Sequence, residues 1–221
     1  MKKKPSTPTK KQFGAFEDAY KYFNKVLFSD QLPSVLLNLS RKSKAMGFAA
    51  PNSWRSSKSK SAEDAHLHEL SINPEILHMD LIEIYSTLVH EMAHIWQFVF
   101  GTPSRSGYHN SEWANKMIAV GLMPSTTGEP GGKIVGQRMS DYPIENGVFL
   151  KALKKMPKKM KFPFVCVHGE RLGVGASSSG SDEKNKKNKV KYTCPICDTN
   201  VWGKTGLSID CRDCCAEFAE Q

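Results

Sequence analysis

The chain has 221 residues, 39% of them hydrophobic and 24% charged, which suits one well-packed domain plus a small second module and describes a soluble globular protein. No apolar run approaches the roughly 18 residues a membrane-spanning helix needs, so a helical membrane protein is excluded. The formal charge of +9 is clumped into "MKKKPSTPTKK", "KALKKMPKKMK" and "DEKNKKNKVK", which points to a polyanionic partner.

The amino terminus starts with lysines but has no apolar stretch behind them; no secretory signal is read there, and a cytoplasmic location is expected. Residues 1–11 are expected to be a basic, flexible lead-in to a main domain over 12–165. "FGAFEDAYKYFNKVLF" repeats Phe13, Phe16, Tyr20, Phe23 and Leu27 at helical spacing, an amphipathic core helix. "SDQLPSVLLNLS" leaves that helix at Pro33 and alternates Val35, Leu37 and Leu39 as a strand. "AMGFAAP" and "LHELSINP" are two further short strands, separated by the polar stretch "NSWRSSKSKSAEDA", which reads as a loop.

Asp80 with Glu83 three residues on reads as an N-cap and capping-box pair, and Gly101 and Pro103 mark the other end. Between them "LIEIYSTLVHEMAHIWQFVFG" makes a helix of about five or six turns. "NSEWANKMIAVGL" is the next helix, with Ser111 as its cap and Trp113, Met117, Ile118 and Leu122 as its apolar positions. From Pro124 to Pro163 the pattern weakens: a loop in "STTGEPGGK", a short strand in "IVGQRMSDYPI" and a short helix in "GVFLKALKKM". Residues 166–190 take in "GVGASSSGSDEKNKKN", a flexible basic linker by composition, and 191–221 form a separate cysteine-rich module.

Residues at i and i+4 of a helix share a face, so His90 and His94 can offer two imidazole nitrogens to one ion. Glu91 lies one residue around, where it can reach a metal-bound water, accept its proton and later protonate a leaving amine. A catalytic zinc wants a third protein ligand. The metzincin continuation would need glycine at 97 and histidine at 100, where the chain has Gln97 and Phe100. His109 in "GYHNSEW" is the preferred third ligand, brought back by a returning helix; Glu112 is the rival, otherwise a hydrogen-bond partner of a ligand or a helix-start residue. His66, His68 and His78 read as structural or merely exposed.

Six cysteines without an export signal favour metal ligation over disulfides. Cys194-x2-Cys197, thirteen intervening residues and Cys211-x2-Cys214 are two knuckles that place four thiolates around one zinc, a closed and therefore structural site. Cys215 competes with Cys214 for the last position, and Cys166 reads as a small buried hydrophobe. Trp202 and Tyr192 either stack on nucleic-acid bases or pack the hairpin.

Together these residues resemble the SprT-like family of zinc metallopeptidases, which includes the Spartan-type DNA–protein crosslink proteases. The resemblance runs through "FNKVLFSDQLPSVLLNLS", "GFAAP", "HELSINPEIL", "LVHEMAHIWQ", "GYHNSEWANKMIAVGL" and "KYTCPICDTNVWGK". It implies a minimal zincin-like α+β domain followed by a zinc ribbon, with His90, His94 and His109 on a catalytic zinc and Glu91 as base. It further implies an endopeptidase acting on DNA-bound or DNA-crosslinked proteins, with DNA as a partner and two zinc ions; the lack of a long apolar run leads to the expectation of no membrane partner. Two features depart from the family pattern: about 70 residues separate Leu122 from Cys194, and Cys215 stands where glycine usually follows the fourth cysteine. The competing expectation is a non-catalytic nucleic-acid-binding or transcription-associated protein that works through its ribbon.

Overall fold

The computed structural model describes residues 6–41, 45–58, 66–167 and 190–221. They fall into two compact units, Met1–Gly175 and Ala176–Gln221. Among them are four α-helices and several small sheets, an α+β fold. The linker run "GVGASSSGSDEKNKKN", most of "DEKNKKNKVK", His168 and the first five residues lie outside the described residues.

Helix α1 spans Pro8–Leu27 and so starts before the apolar stripe does. The Thr7 side chain accepts from the Lys10 amide and Pro8 takes the first helical position, which pre-sets φ where no amide partner is needed. Residues 8–11, expected as flexible lead-in, are therefore helical. The predicted stripe faces inward, with Phe16, Ala19, Tyr20 and Phe23 buried.

Strands β1 (Leu36–Leu39), β2 (Gly47–Arg55) and β3 (His66–Ile72) form one sheet in the order β1-β3-β2, with β1 parallel and β2 antiparallel to β3. The stretch beginning Asn52-Ser53-Trp54-Arg55, read as loop, is strand as far as Arg55. After a register shift between Ala50 and Trp54 the pairing resumes, Trp54 opposite Leu67 and Arg55 opposite His66. Side chains fasten it: the Asn52 amide donates to His68 Nδ1 at 3.1 Å, and the Trp54 indole donates to the Glu69 carboxylate at 2.6 Å.

A 3₁₀ turn, Pro74–His78, leads into α2 (Leu81–Phe100), the central helix. Asp80 caps it by accepting from the amides of Ile82 and Glu83. Tyr85, Leu88, Val89, Met92 and Ala93 are fully buried against the sheet and α1. Helix α3 (Ser111–Ala119) follows, capped by Asn110 rather than the expected Ser111: Asn110 Oδ1 accepts from the Trp113 amide at 3.1 Å. Leu122, expected on this helix, begins strand β4 (Leu122–Ser125), because Gly121 at φ +90° turns the chain out of the helix.

Strand β4 pairs antiparallel with β5 (Ser140–Pro143), and α4 (Val148–Lys155) then packs on α1. The weakly patterned segment is thus a strap over the core. Tyr22 and Tyr85 hydroxyls donate to the Ala152 and Met160 carbonyls at 2.7 and 2.8 Å, and Gln12 exchanges two hydrogen bonds with the Phe164 backbone. Phe149 is fully buried, and a side chain of that size contributes about 1.5–3 kcal/mol.

The second unit holds β6 (Val190–Thr193), β7 (Asn200–Gly203), β8 (Asp210–Cys211), β9 (Ala216–Glu217) and β10 (Ala219–Glu220). Its sheets are β10-β6-β7 and the pair β8-β9. The buried core consists of Tyr192, Phe218 and two cysteines, too little apolar surface to hold a fold without a further tie. No helix among the described residues is long and apolar enough to cross a membrane.

Candidate metal centre

Helix α2 presents His90 and His94 one turn apart, and the segment just ahead of α3 returns His109 to them. The three rings offer nitrogens that all lie within 4.8 Å of one another. His94 Nε2 and His109 Nε2 stand 3.1 Å apart. Zinc–nitrogen bonds of 2.0–2.1 Å at tetrahedral angles put two donors about 3.3 Å apart, so the donor set fits a metal ion of zinc's size. Trp113, fully buried, is the floor beneath all three rings, with centroids 4.8, 5.3 and 4.4 Å from those of His90, His94 and His109.

Two of the rings are held from behind. His90 Nδ1 lies 2.9 Å from Asp141 Oδ2 on β5, and His109 Nδ1 lies 3.2 Å from the Gly136 carbonyl oxygen, which leaves Nε2 of each ring for the centre. Gly136 also exchanges two backbone hydrogen bonds with His109, at 2.7 and 3.1 Å. The turn between α2 and α3 is fixed by Gln97, one turn beyond His94. Its amide donates to Asn110 Oδ1 at 2.7 Å and to Glu112 Oε2 at 2.8 Å. Glu112 Oε2 also accepts from the Thr102 amide at 2.7 Å. Glu112, the rival ligand, is therefore spent on holding the turn and stands outside the histidine cluster, in neither of the two roles weighed beyond that of a helix-start residue.

Burial and the two neighbouring rings hold His94 well below the usual imidazole range, and burial with His90 nearby brings His109 down to about 4. Both are neutral at pH 7, the form that ligates metals. For His90 burial pulls down, but the Asp141 hydrogen bond and the charges of Glu91 and Asp141 outweigh it and raise the value. The centre opens onto a groove of about 770 Å³, walled by Met46–Ala49 at the start of β2, by Pro103–Tyr108 and by Gln137–Asp141. Glu91 lines this groove while being only 6% exposed.

In the second unit the Sγ atoms of Cys194, Cys197, Cys211 and Cys214 lie within 4.8 Å of one another. Cys197 and Cys211 are 3.8 Å apart, close to the roughly 3.8 Å that Zn–S bonds of 2.3 Å at tetrahedral angles imply. The Thr199 hydroxyl and amide bring the Cys197 thiol down to about 6, while contact with Cys197 and burial push Cys214 up to about 12. Thiols crowded like this share protons that a cation would displace. Cys215 is outside the cluster, exposed and at φ +51°, and Cys166 is half-buried with the Arg41 guanidinium 3.5 Å from its sulfur. His66 is exposed, whereas His68 is buried against Phe98.

Three histidines beneath a groove, two on α2 and one just ahead of α3, and in the second unit a cluster of four cysteines define a protein with two candidate metal sites. The chain belongs to the SprT-like family, whose model matches residues 16–129, just over half of its length. Neither a curated protein nor a solved structure matches it. The matched span contains His90, Glu91, His94 and His109 but stops short of Asp141, which the sequence reading did not single out. Its only sequence signal is an acidic residue in a short strand, and nothing local ties it to a histidine 51 positions earlier.

Proposed function

We propose that the groove is the active site of a zinc-dependent endopeptidase that acts on proteins bound to DNA. One observation carries the reading: Glu91 lines the same groove into which His90, His94 and His109 converge, beside strand β2. Among the described residues β2 is the last strand of its sheet, and an extended substrate that adds alongside it would lay a peptide bond across the centre. Zinc held by the three Nε2 atoms would supply Lewis acidity, polarising a carbonyl and lowering the pKa of water to about 7. Glu91 takes the proton from the attacking water and passes it to the departing amine. Gln97, Asn110 and Glu112 keep His109 in place, and Trp113 keeps the three rings apart from the core below.

The four-cysteine cluster is proposed as a second, structural zinc that substitutes for the missing core of the ribbon. DNA as partner is supported by exposed lysines at 151, 154, 155, 158, 159 and 161. It is also supported by Trp202, which is 64% exposed with Lys191 directly across the strand pair. Of the two aromatics considered for base stacking, Tyr192 is buried in the hairpin and Trp202 is the one available.

The test is cleavage of a DNA-binding protein by the zinc-loaded chain with and without single-stranded DNA, beside Trp202→Ala. The reading expects cleavage that DNA stimulates and that Trp202→Ala stimulates less. Binding of zinc and DNA with no cleavage would support the nucleic-acid-binding module instead.

A further inference from the structure

The β4–β5 hairpin supplies a group to the histidine centre from beyond the family-matched residues. Asp141 comes from β5, its side chain only 8% exposed, and its Oδ2 lies 2.9 Å from His90 Nδ1. Its other oxygen, Oδ1, is buried with no hydrogen-bond partner among the described residues. An anion sequestered in this way is costly unless a positive charge compensates it. Nothing on its own hairpin does so: Arg138 lines the groove but is exposed and solvated, as is Arg105 on the opposite wall. Asp141 and Glu91 are the two carboxylates that act on the His90 ring.

Resting on the reading of the three histidines as metal ligands, we infer that Asp141 is a positioning residue for the metal centre. It fixes the His90 ring with Nε2 inward and strengthens that nitrogen as a donor through the imidazole. The hairpin is then part of the centre. The segment 136–141 walls the groove on one side and holds two of the three ligands on the other, through the Gly136 carbonyl on His109 and the Asp141 carboxylate on His90. The purpose of a weakly patterned stretch after residue 129 follows from this: it carries the outer support of ligands that the family-matched residues supply.

The test loads the full chain with cobalt(II) as a spectroscopic stand-in for zinc and compares wild type with Asp141→Asn and Asp141→Ala. Visible d–d absorption reports the histidine site, and thiolate-to-cobalt charge transfer in the near ultraviolet reports the cysteine site as an internal control. Asp141→Asn keeps shape and an acceptor but loses the charge; Asp141→Ala loses both. Affinity of the histidine site should fall stepwise, by about 10–100-fold in all, with an altered d–d band and unchanged thiolate bands. If Asp141→Ala does not fold, Asp141→Asn carries the test alone, with a fall of about tenfold expected. Wild-type affinity and an unaltered d–d band in a folded variant would overturn the inference. A wild-type chain with thiolate bands but no histidine-site d–d band would instead overturn the metal-centre reading beneath it.

Discussion

Gly47 on β2 sits so close to Glu91 on α2 that a Cβ added to it would stand 3.0 Å from Glu91 Cγ and 3.0 Å from the Ser71 carbonyl oxygen. The strand edge and the proposed base therefore meet at a position with room only for hydrogen. The Ser71 carbonyl belongs to the sheet, where Gly47 pairs with Ile72, so the side chains of Glu91 and of Thr87, whose Cγ2 would stand 3.1 Å away, are the partners that would give way. Gly47→Ala should keep its zinc and cost about 1–3 kcal/mol of stability through overpacking. Cleavage should slow at least about tenfold as the base is displaced. Zinc content and initial rate measured on one preparation check this; full activity would show that Glu91 does not depend on the gap.

The turn that returns His109 makes a second prediction. Gln97 is 3% exposed and bridges Asn110 and Glu112, so Gln97→Ala removes two hydrogen bonds and leaves each acceptor with one donor, the Trp113 amide on Asn110 Oδ1 and the Thr102 amide on Glu112 Oε2. The loss should be about 1–3 kcal/mol, a thermal midpoint lower by about 2–4 °C for each kcal/mol. Zinc affinity at the histidine site should fall with it, less than in His109→Ala. Calorimetry and chelator competition on the same variant separate the two effects.

In the ribbon, adjacent cysteines should behave oppositely. Cys214 belongs to the four-sulfur cluster, whereas Cys215 is exposed and strained at φ +51°, a conformation glycine adopts freely. Cys215→Gly should retain zinc and leave the ribbon equal or more stable by about 1 kcal/mol, while Cys214→Ser should lose the metal and the fold of residues 190–221 together. Amide exchange of the ribbon, with and without a chelator, reads both.

The metal-free first unit should weaken in mild acid. His94 and His109 have folded-state values below the unfolded one, so the unfolded chain takes up protons first. Their contribution is present above about pH 6.5. For His109 it is lost progressively as pH falls toward about 4. His90 is raised and acts with the opposite sign, so Asp141→Asn, which removes its counter-charge, should steepen the loss. Thermal midpoints of the metal-free chain at about pH 7.5 and about pH 5 give the slope.

What the sequence made legible was whatever repeats locally. The stripe from Phe16 to Phe23, the Asp80 cap, the i, i+4 histidines and the paired cysteine knuckles each encode geometry within a few residues. Other features are decided across the fold. Asn110 and Ser111 are equally good caps by type, and the Gln97 contact accompanies the choice of Asn110. The β2 extension to Arg55 looks polar because its support is cross-strand, from His68 and Glu69. Asp141 has no local periodicity at all, since its meaning lies in a histidine on another element. The helical start at Pro8 was present as Thr7-Pro8 but masked by the lysines that follow.

If Glu91 performs the proton transfer proposed for it, the zinc-loaded wild type and Glu91→Gln should part company on one DNA-bound protein substrate. Zinc content and DNA binding should be equal in the two chains, with cleavage by the wild type and a loss of at least about 100-fold in the variant. Equal cleavage by both, or none by a wild type that holds zinc and DNA, would contradict that role.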